Sequence, residues 1–263
     1  MPRVALGVEY DGSAYCGWQL QDHSPSVQED LEKALRIIAN EEVRVHCAGR
    51  TDTGVHALEQ IVHFDTTVER DARNWIQGVN TKMPSTVSVH WAKTVSDDFH
   101  ARFSAHARRY QYVILNRSCR SALLAKRVNW YKYSLDADLM HQAAQVLLGE
   151  HDFSSFRASG CQAHQPVREV QAISVKRVGD LVILDIKANA FLQHMVRNIV
   201  GTLLKVGNQK RPVEWVREVL EHRDRTVAGM AADANGLYFI RAFYPDHFEL
   251  PISGREVGQL LLT

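Results

Sequence analysis

Alternating and amphipathic segments follow one another along this chain in an order that few folds can accommodate. In the first half, apolar residues at every second position predict strands, and apolar residues three and four apart predict helices. The predicted order is β-α-β-β-α-β, which is that of a split βαβ unit. The strands are predicted at residues 3–10, 43–47, 60–66 and 85–95, and the helices at residues 26–38 and 70–80.

The second half repeats this order of elements without repeating the sequence. It predicts a strand at 108–115, a helix from 136 that stops at Gly149, a hairpin over 168–188 turned at Gly179, helices at 190–207 and 213–223, and a strand at 236–244. We therefore predict an α+β protein. Two fused split βαβ-like units, ferredoxin-like or RRM-like, are expected to form a central, mostly antiparallel sheet flanked by helices. The domains are predicted as residues 1–104 and 105–263.

The composition argues against several classes of protein. No apolar run approaches the ~20 residues that span a bilayer, and the N-terminus MPRVALGVEYDG lacks the charged, apolar and cleavage segments of a signal peptide. We therefore expect a cytoplasmic protein that binds no membrane. The four cysteines form no CxxC pair, which argues against a thiolate zinc site and against a disulfide framework. They are Cys16, Cys47, Cys119 and Cys161.

The charge is distributed unevenly along the chain. Residues 1–98 carry 9 basic and 15 acidic residues, whereas residues 99–263 carry 22 and 15. No acid occurs in 99–135 or in 186–213, and both stretches are rich in Lys and Arg. Because Lys and Arg neutralise phosphates and the interleaved aromatic rings can stack on bases, this pattern favours a polyanion track. A solvated basic face would give the same pattern, and charge alone does not separate the two.

One short segment, AGRTDTGVHA at residues 48–57, concentrates residues suited to catalysis. Asp52 is its only carboxylate, Arg50 lies two residues earlier, and Gly49 and Gly54 bracket the pair. A nearby arginine lowers the pKa of an aspartate and keeps it ionised, as a nucleophile requires. The alternative is an Asx-turn residue that only holds the loop. The sequence contains no phosphate-binding loop, dinucleotide fingerprint, nucleophile elbow or zinc motif of the protease or deaminase type.

Six separated segments carry a more specific signal. In chain order they are VEYDGSAYCGWQ, AGRTDTGVHA, DDFHARFSAHARRYQYVI, LLGEHDFSSFR, ANAFLQHMVRNIVGTLLKVG and GLYFIRAFYP. Together they resemble the TruA family of tRNA pseudouridine synthases, over nearly the whole chain. The resemblance implies the pseudouridine synthase fold, a homodimer, and no metal or cofactor. The implied activity is the isomerisation of uridine to pseudouridine at positions 38, 39 and 40 in the anticodon stem-loop of tRNA.

The resemblance also implies roles for individual residues. Asp52 is expected to be the nucleophile, and Arg197 to pair with it. Tyr110 is expected to stack on the target base and to take its C5 proton, while Arg50 enters the RNA as the base leaves its stack. The other implied substrate and RNA contacts are Arg70, Phe99, His100, Ala101, Arg102, Phe103, Gly160, Cys161, Gln162, Ala163, His164 and Leu237.

The chain departs from the family pattern at one visible place. Some family members have a proline where this chain has Asp233, in AADANGLYF, so this loop is open to a different shape. Two other hypotheses stay open on the residues alone: a non-catalytic protein that binds structured RNA, and a metal-dependent nuclease. The first gives Asp52 no task, and the second needs more acids near it than its own loop provides.

Overall fold

The computed structural model describes residues 1–258 and contains, within that range, ten strands and five α-helices. In chain order these are β1 (Arg3–Tyr10), α1 (Val27–Ala39), β2 (His46–Cys47), β3 (His56–Asp65), α2 (Ala72–Asn80), β4 (Val87–Val95), β5 (Ala107–Asn116), β6 (Asn129–Tyr131), α3 (Ala137–Ala144), β7 (Gly149–Asp152), β8 (Val167–Val178), β9 (Leu181–Ala188), α4 (Met195–Gly207), α5 (Trp215–His222) and β10 (Leu237–Phe243).

The chain divides into two compact units. Unit 1 comprises Met1–His106 together with the chain from Tyr238 onward, and unit 2 comprises Ala107–Leu237. Unit 1 is therefore assembled from both ends of the sequence. The predicted domain boundary after residue 104 stays a prediction. The last five residues of the predicted second domain, 259–263, lie outside the described part of the chain.

Unit 1 contains the predicted β-α-β-β-α-β order, from β1 to β4. β1 lies between β3 and β4 and is antiparallel to both, while β10 runs parallel to β3. β2 pairs with β3 only through His46 and Cys47, so it is shorter than the strand predicted at 43–47. Ser26 caps α1 by accepting the Glu29 N–H at 3.3 Å, and Leu31 and Leu35 of this helix are fully buried.

The strands of unit 2 pair with one another in a largely antiparallel arrangement. They lie in the order β5, β9, β8, β7, all antiparallel, and β6 adds parallel to β5. The predicted hairpin over 168–188 is confirmed, with Gly179 at its turn in the left-handed conformation, φ 56°. The mixed α+β class and the mostly antiparallel pairing are thus confirmed in each unit.

All three α-helices of unit 2 are shorter than predicted, and α5 spans Trp215–His222 rather than 213–223. α3 ends at Ala144 and is followed by a single 3₁₀ turn, after which Gly149 starts β7 with a φ of 92°. α4 begins at Met195 rather than at residue 190. The reason is His194, whose φ of 62° lies in the left-handed region and cannot continue a right-handed helix. The predicted apolar stripe of α4 is nevertheless buried, at Leu192, Val196, Ile199 and Leu203.

A buried histidine joins β3 to the loop at residues 96–106, which follows β4 and is called the Arg102 loop below. His63 is only 2% exposed, and its Nδ1 accepts the backbone N–H of Ala101 at 3.1 Å. The same loop is held from β1 by Arg3, which donates to the carbonyl of Phe99 at 2.8 Å. Burial, followed by the nearby His100, lowers the pKa of His63 to about 3. The imidazole is therefore neutral and remains an acceptor at neutral pH.

This arrangement makes unit 1 sensitive to acid. The unfolded chain titrates His63 near its usual pKa of about 6.5, whereas the folded chain resists protonation down to a pKa of about 3. In that window the unfolded state binds more protons, so the stability falls as the pH decreases from about 6.5. We expect His63→Asn, which offers an oxygen acceptor near the position of Nδ1, to lose less stability than the wild type between about pH 7 and pH 4.5. The urea midpoint at the two pH values measures this.

The absolute stability of the variant at pH 7 is expected to be lower, because asparagine fills less of the buried site. The exposed His23, changed to asparagine, serves as a control and should leave the pH dependence as it is in the wild type. An equal loss of stability in His63→Asn and wild type would show that this imidazole is not the acid-sensitive group.

Candidate functional site

The loop that carries Asp52 is anchored by the residue before it. Thr51 is buried, its hydroxyl lies 2.8 Å from the hydroxyl of Tyr10, and its carbonyl accepts the backbone N–H of Trp18 at 3.0 Å. Asp52 itself is half-buried. The bond that closes the turn runs from the N–H of Val55 to the backbone carbonyl of Asp52, at 3.1 Å. A backbone hydrogen bond thus closes the turn at Asp52.

A buried glutamine holds the start of the same loop. The side chain of Gln60, in β3, donates to the carbonyl of Gly49 at 2.7 Å and accepts the N–H of Gly49 at 3.4 Å. Its amide also lies 3.4 Å from the hydroxyl of Tyr10. Burial raises the pKa of Tyr10 above its usual range, so this phenol stays neutral. The loop therefore rests on neutral, hydrogen-bonded side chains, with Arg50 exposed on its outer side.

The segment after β1 lies directly against this loop and needs a glycine there. Gly17 has a φ of 99°, and a Cβ on it would stand 2.7 Å from the carbonyl oxygen of Thr51. Any other residue would be strained at this φ and would displace the loop. Because of this close approach, the segment at residues 16–18 packs directly against the Asp52 loop at residues 48–57.

The predicted RNA-binding segment Phe99–Phe103 divides into buried and exposed positions. Phe99 and Ala101 are fully buried, whereas Phe103 is 74% exposed. The Nδ1 of His100 accepts the backbone N–H groups of Arg102 and Phe103, at 3.1 and 3.3 Å. Arg102 is exposed, with its guanidinium carbon 5.4 Å from the centroid of the Phe103 ring. Only Arg102 and Phe103 therefore present most of their side chains to solvent.

Arg70, also predicted to contact RNA, is partly engaged with the protein. It donates to the carbonyl of Ile38 at 2.8 Å, and its guanidinium carbon lies 5.9 Å from the ring of Trp75. Its side chain is otherwise exposed. This places Arg70 beside the last turn of α1, in unit 1.

In unit 2, the two tyrosines on one face of β5 have different surroundings. Tyr112 is fully buried, and its hydroxyl donates to the carbonyl of Asp233 at 2.7 Å. Tyr110 is 9% exposed and packs edge-on against Phe191, with the ring centroids 4.9 Å apart. Tyr112 is thus a structural core residue, and the ring of Tyr110 is held in a fixed orientation by packing.

Arg197 projects from the first turn of α4 and is tied to the segment before β10. Its Nε donates to the carbonyl of Ala232 at 2.8 Å, and the N–H of Ala232 donates to the carbonyl of Arg197 at 3.0 Å. One turn further along α4, a Cβ on Gly201 would stand 1.8 Å from the carbonyl oxygen of Met230. The glycine therefore permits the close approach that places Ala232 within reach of Arg197.

Asp233 does not require a loop that differs from the one a proline would form. Its φ is −59°, which lies within the range that a proline ring imposes. Its side chain accepts the N–H of Asn235 at 3.1 Å and caps a short 3₁₀ turn, Ala234–Gly236. Leu237 follows this turn and is buried. The backbone at Asp233 is thus compatible with a proline ring as far as φ is concerned.

The predicted RNA-binding segment Gly160–His164 is held by an arginine that the sequence did not single out. Arg157 donates to the carbonyls of Cys161 and Ala163, at 2.6 and 2.7 Å. Gly160, Gln162 and His164 are exposed. Arg157, together with Tyr10, Gln60 and His63, supports candidate segments through partners that no local sequence pattern marks.

The candidate residues fall in both units. Asp52, Arg50, Arg70 and Phe99–Phe103 belong to unit 1, and Tyr110, Arg197, Gly160–His164 and Leu237 belong to unit 2. In the described range, 1–258, no group of three or more His, Cys, Asp or Glu side chains is placed to hold a metal ion. Over the same residues, no helix has the length and apolar character to cross a bilayer.

Comparisons with known proteins connect these elements to one family. A family model described as "tRNA pseudouridine synthase" matches residues 7–104 and 143–245. A solved structure of a Cbf5-Nop10-Gar1 complex covers 92% of this chain and 50% of its own, at 12% identity and a TM-score of 0.36, a likeness too weak to define a common fold.

Curated relatives are similar over almost their whole length. A tRNA pseudouridine synthase A from Hydrogenovibrio crunogenus is 60% identical over 95% of this chain and 96% of its own. Proteins of the same name from Pseudoalteromonas atlantica and Salmonella paratyphi B are each 57% identical, over 99% and 95% of this chain and 98% and 92% of their own. This chain therefore belongs to the tRNA pseudouridine synthase family.

Proposed function

We propose that this chain isomerises uridine to pseudouridine at positions 38, 39 and 40 in the anticodon stem-loop of tRNA, with Asp52 as the nucleophile. The observation that carries the proposal is the construction of the Asp52 loop. Its backbone and Thr51 are held by buried side chains, and the half-buried Asp52 follows directly on this fixed backbone. Membership of the family supports the reaction type, and the names of the relatives point to tRNA as the substrate.

The chemistry asks for few protein groups. The bond between N1 and C1′ breaks, a bond between C5 and C1′ forms, the proton on C5 leaves and N1 gains one. No atoms are added and no electrons are exchanged, so the reaction needs a nucleophile, a proton acceptor and a site that holds the detached uracil. We assign the covalent step to Asp52, which attacks either C6 of the ring or C1′.

We assign the other two tasks to residues of unit 2. Tyr110 stacks on the extruded base and its oxygen takes the C5 proton. Packing against Phe191 supports this role, because it holds the ring in one orientation. Arg197 pairs with Asp52 and keeps it ionised. The bond from its Nε to Ala232 supports this role, because one of its three nitrogens then fixes the direction of the guanidinium.

We assign RNA binding to the segments predicted for it, with Arg102 and Arg50 as the main cations. Both are exposed, and the backbone that presents Arg102 is fixed by His100 and His63. Arg50 fills the gap that the extruded base leaves, because unstacking costs a few kcal/mol that protein contacts must offset. The proposal also includes a homodimer in the cytoplasm, as the family resemblance implies.

Asp52→Asn is expected to abolish pseudouridine formation and to leave tRNA binding within about tenfold of wild type, because the amide keeps the shape of the loop but is no nucleophile. Tritium release from C5-labelled tRNA measures the first, and a filter-binding titration the second. The exposed Asp22, changed to asparagine, is the matched control and should remain active. Wild-type turnover in Asp52→Asn would remove Asp52 from the mechanism.

Tyr110→Phe is expected to bind tRNA normally and to form pseudouridine about 10²–10⁴-fold more slowly, which is the usual contribution of a general base. The ring still stacks, and only the hydroxyl is removed. An RNA containing 5-fluorouridine has no C5 proton to lose, so the variant should process it through glycosidic cleavage.

The matched control is Tyr112→Phe, which removes a hydroxyl bonded to the carbonyl of Asp233. It should lower the thermal midpoint and leave the rate per folded molecule unchanged. A normal rate in Tyr110→Phe, or a loss of folding in place of a loss of rate, would assign Tyr110 to the core as well.

Arg102→Ala is expected to weaken tRNA binding and to flatten the dependence of log Kd on log salt by about one unit, because one phosphate fewer is neutralised. Titrations at several salt concentrations measure the slope. Arg217→Ala, on α5, removes an exposed arginine outside the predicted RNA-binding segments and should leave the slope unaltered. The same slope in Arg102→Ala and wild type would place Arg102 away from the RNA.

A further inference from the structure

Unit 2 presents an exposed tyrosine between two lysines just after β6. Tyr133 is 56% exposed. The ammonium nitrogens of Lys132 and Lys210 lie 5.0 and 5.7 Å from the centroid of its ring. We refer to Lys132, Tyr133 and Lys210 as the Tyr133 platform. Two like charges at one ring repel each other, and an anion bound beside the ring would relieve that repulsion.

The backbone beneath the ring is fixed by one asparagine. The side-chain amide of Asn116, at the end of β5, donates to the carbonyls of Tyr133 and Tyr131, at 2.6 and 3.0 Å. Its oxygen accepts the N–H of Leu135 at 3.2 Å and a guanidinium N–H of Arg177 at 2.8 Å. The backbone that carries the ring is thus fixed before any ligand arrives, which lowers the entropy cost of binding.

The second lysine is fixed by the turn that ends α4. The backbone N–H of Lys210 donates to the carbonyl of Lys205 at 3.0 Å and to the side chain of Asn208 at 3.2 Å. The amide of Asn208 in turn donates to the hydroxyl of Tyr131. Gln209 between them has a φ of 59°, which reverses the chain. This hydrogen-bonded turn therefore places Lys210 beside Tyr133.

The charge around the platform suits a polyanion. Lys132 and Tyr133 lie in the acid-free stretch 99–135, and Lys210 lies in the acid-free stretch 186–213. A cavity of about 720 Å³ adjoins the ring and is also lined by Asp136, Asp138 and Arg177. Asp136 is already used as the cap of α3, accepting two backbone N–H groups at 3.0 Å. Asp138 is the other acid that lines this cavity, Arg177 and Lys210 are the bases that line it, and Lys132 adds a third positive charge at the ring.

The platform is far from the groups assigned to the chemistry in unit 2. Tyr110 and Asn116 are six residues apart on β5, which at about 3.4 Å per residue is roughly 20 Å. Arg197 and Lys205 are eight residues apart on α4, which at about 1.5 Å per residue is roughly 12 Å. A nucleotide whose base reaches Tyr110 therefore cannot also rest on Tyr133.

We propose that the Tyr133 platform is a second RNA-binding site, which stacks an unpaired base of the tRNA, other than the target uridine, on Tyr133 and binds the flanking phosphates through Lys132 and Lys210. An aromatic ring flanked by ammonium groups is the combination by which proteins bind nucleic acid strands without reading sequence. The identification of the polyanion as tRNA rests on the proposed function. The site adds affinity for the substrate and takes no part in bond breaking.

The test compares Tyr133→Ala with the double variant Lys132→Ala/Lys210→Ala, using full-length tRNA transcript as the probe. The double variant is expected to raise Kd about tenfold or more at moderate salt and to flatten the salt slope by about two units, one for each phosphate that is no longer neutralised. Tyr133→Ala is expected to raise Kd about tenfold with the slope unaltered, and Tyr133→Phe to bind as the wild type does. In each weakened variant, KM for pseudouridine formation rises and kcat stays at the wild-type value.

The matched control is Lys33→Ala/Lys82→Ala, which removes the same charge from two exposed positions of unit 1, whereas the platform belongs to unit 2. A Kd and salt slope equal to wild type in the platform variants, or an equal change in the control, would overturn the proposal. A fall in kcat with unchanged KM would also overturn it. A failure of the proposed function would give a different result from a failure of this proposal. The wild-type protein would then form no pseudouridine, and its tRNA affinity could still be compared with that of the variants.

Discussion

The central constraint on unit 1 is that β3 buries four polar side chains and gives each of them a partner. His56 accepts the N–H of Gly12, Glu59 accepts the indole N–H of Trp91, Gln60 binds both backbone groups of Gly49, and His63 accepts the N–H of Ala101. Buried polar groups without partners cost several kcal/mol, so each contact also fixes where its partner segment lies. One strand thereby positions the segment after β1, the Asp52 loop and the Arg102 loop.

This arrangement explains why the loops that carry candidate residues are irregular yet fixed. A loop held by apolar packing alone can slide, because dispersion has little directional preference. A hydrogen bond to one specific polar group fixes the position of that group within a few tenths of an ångström. The Asp52 loop has such bonds at Gly49 and Thr51 and so needs no regular secondary structure. The same holds in unit 2, where Arg157 fixes Cys161 and Ala163.

The sequence predicted the order of elements and the location of the Asp52 loop because both follow from local patterns. Apolar periodicity and glycine positions are visible within ten residues, and the loop directly follows a strand. The supporting residues could not be predicted in this way. In the sequence, Gln60 is simply a polar residue at the start of a predicted strand. Its hydrogen-bond partner, Gly49, is 11 residues away. The late start of α4 depends on His194 in a conformation that usually selects glycine. Phe99 and Ala101 lie in a basic stretch, and their burial depends on partners far away in the sequence.

The two-ended assembly of unit 1 has a consequence for the order in which the protein is made. β10 pairs with β3 through Tyr238 and Phe239, Tyr244 donates to the carbonyl of Ala101, and Phe248 packs on Phe99. These partners are separated by well over a hundred residues of sequence, so the loop that joins them is long and closes late. A nascent chain on the ribosome completes unit 2 from a continuous stretch, but it lacks a finished Arg102 loop until residue 248 has emerged. Synthesis itself therefore delays completion of this loop until both ends of unit 1 exist.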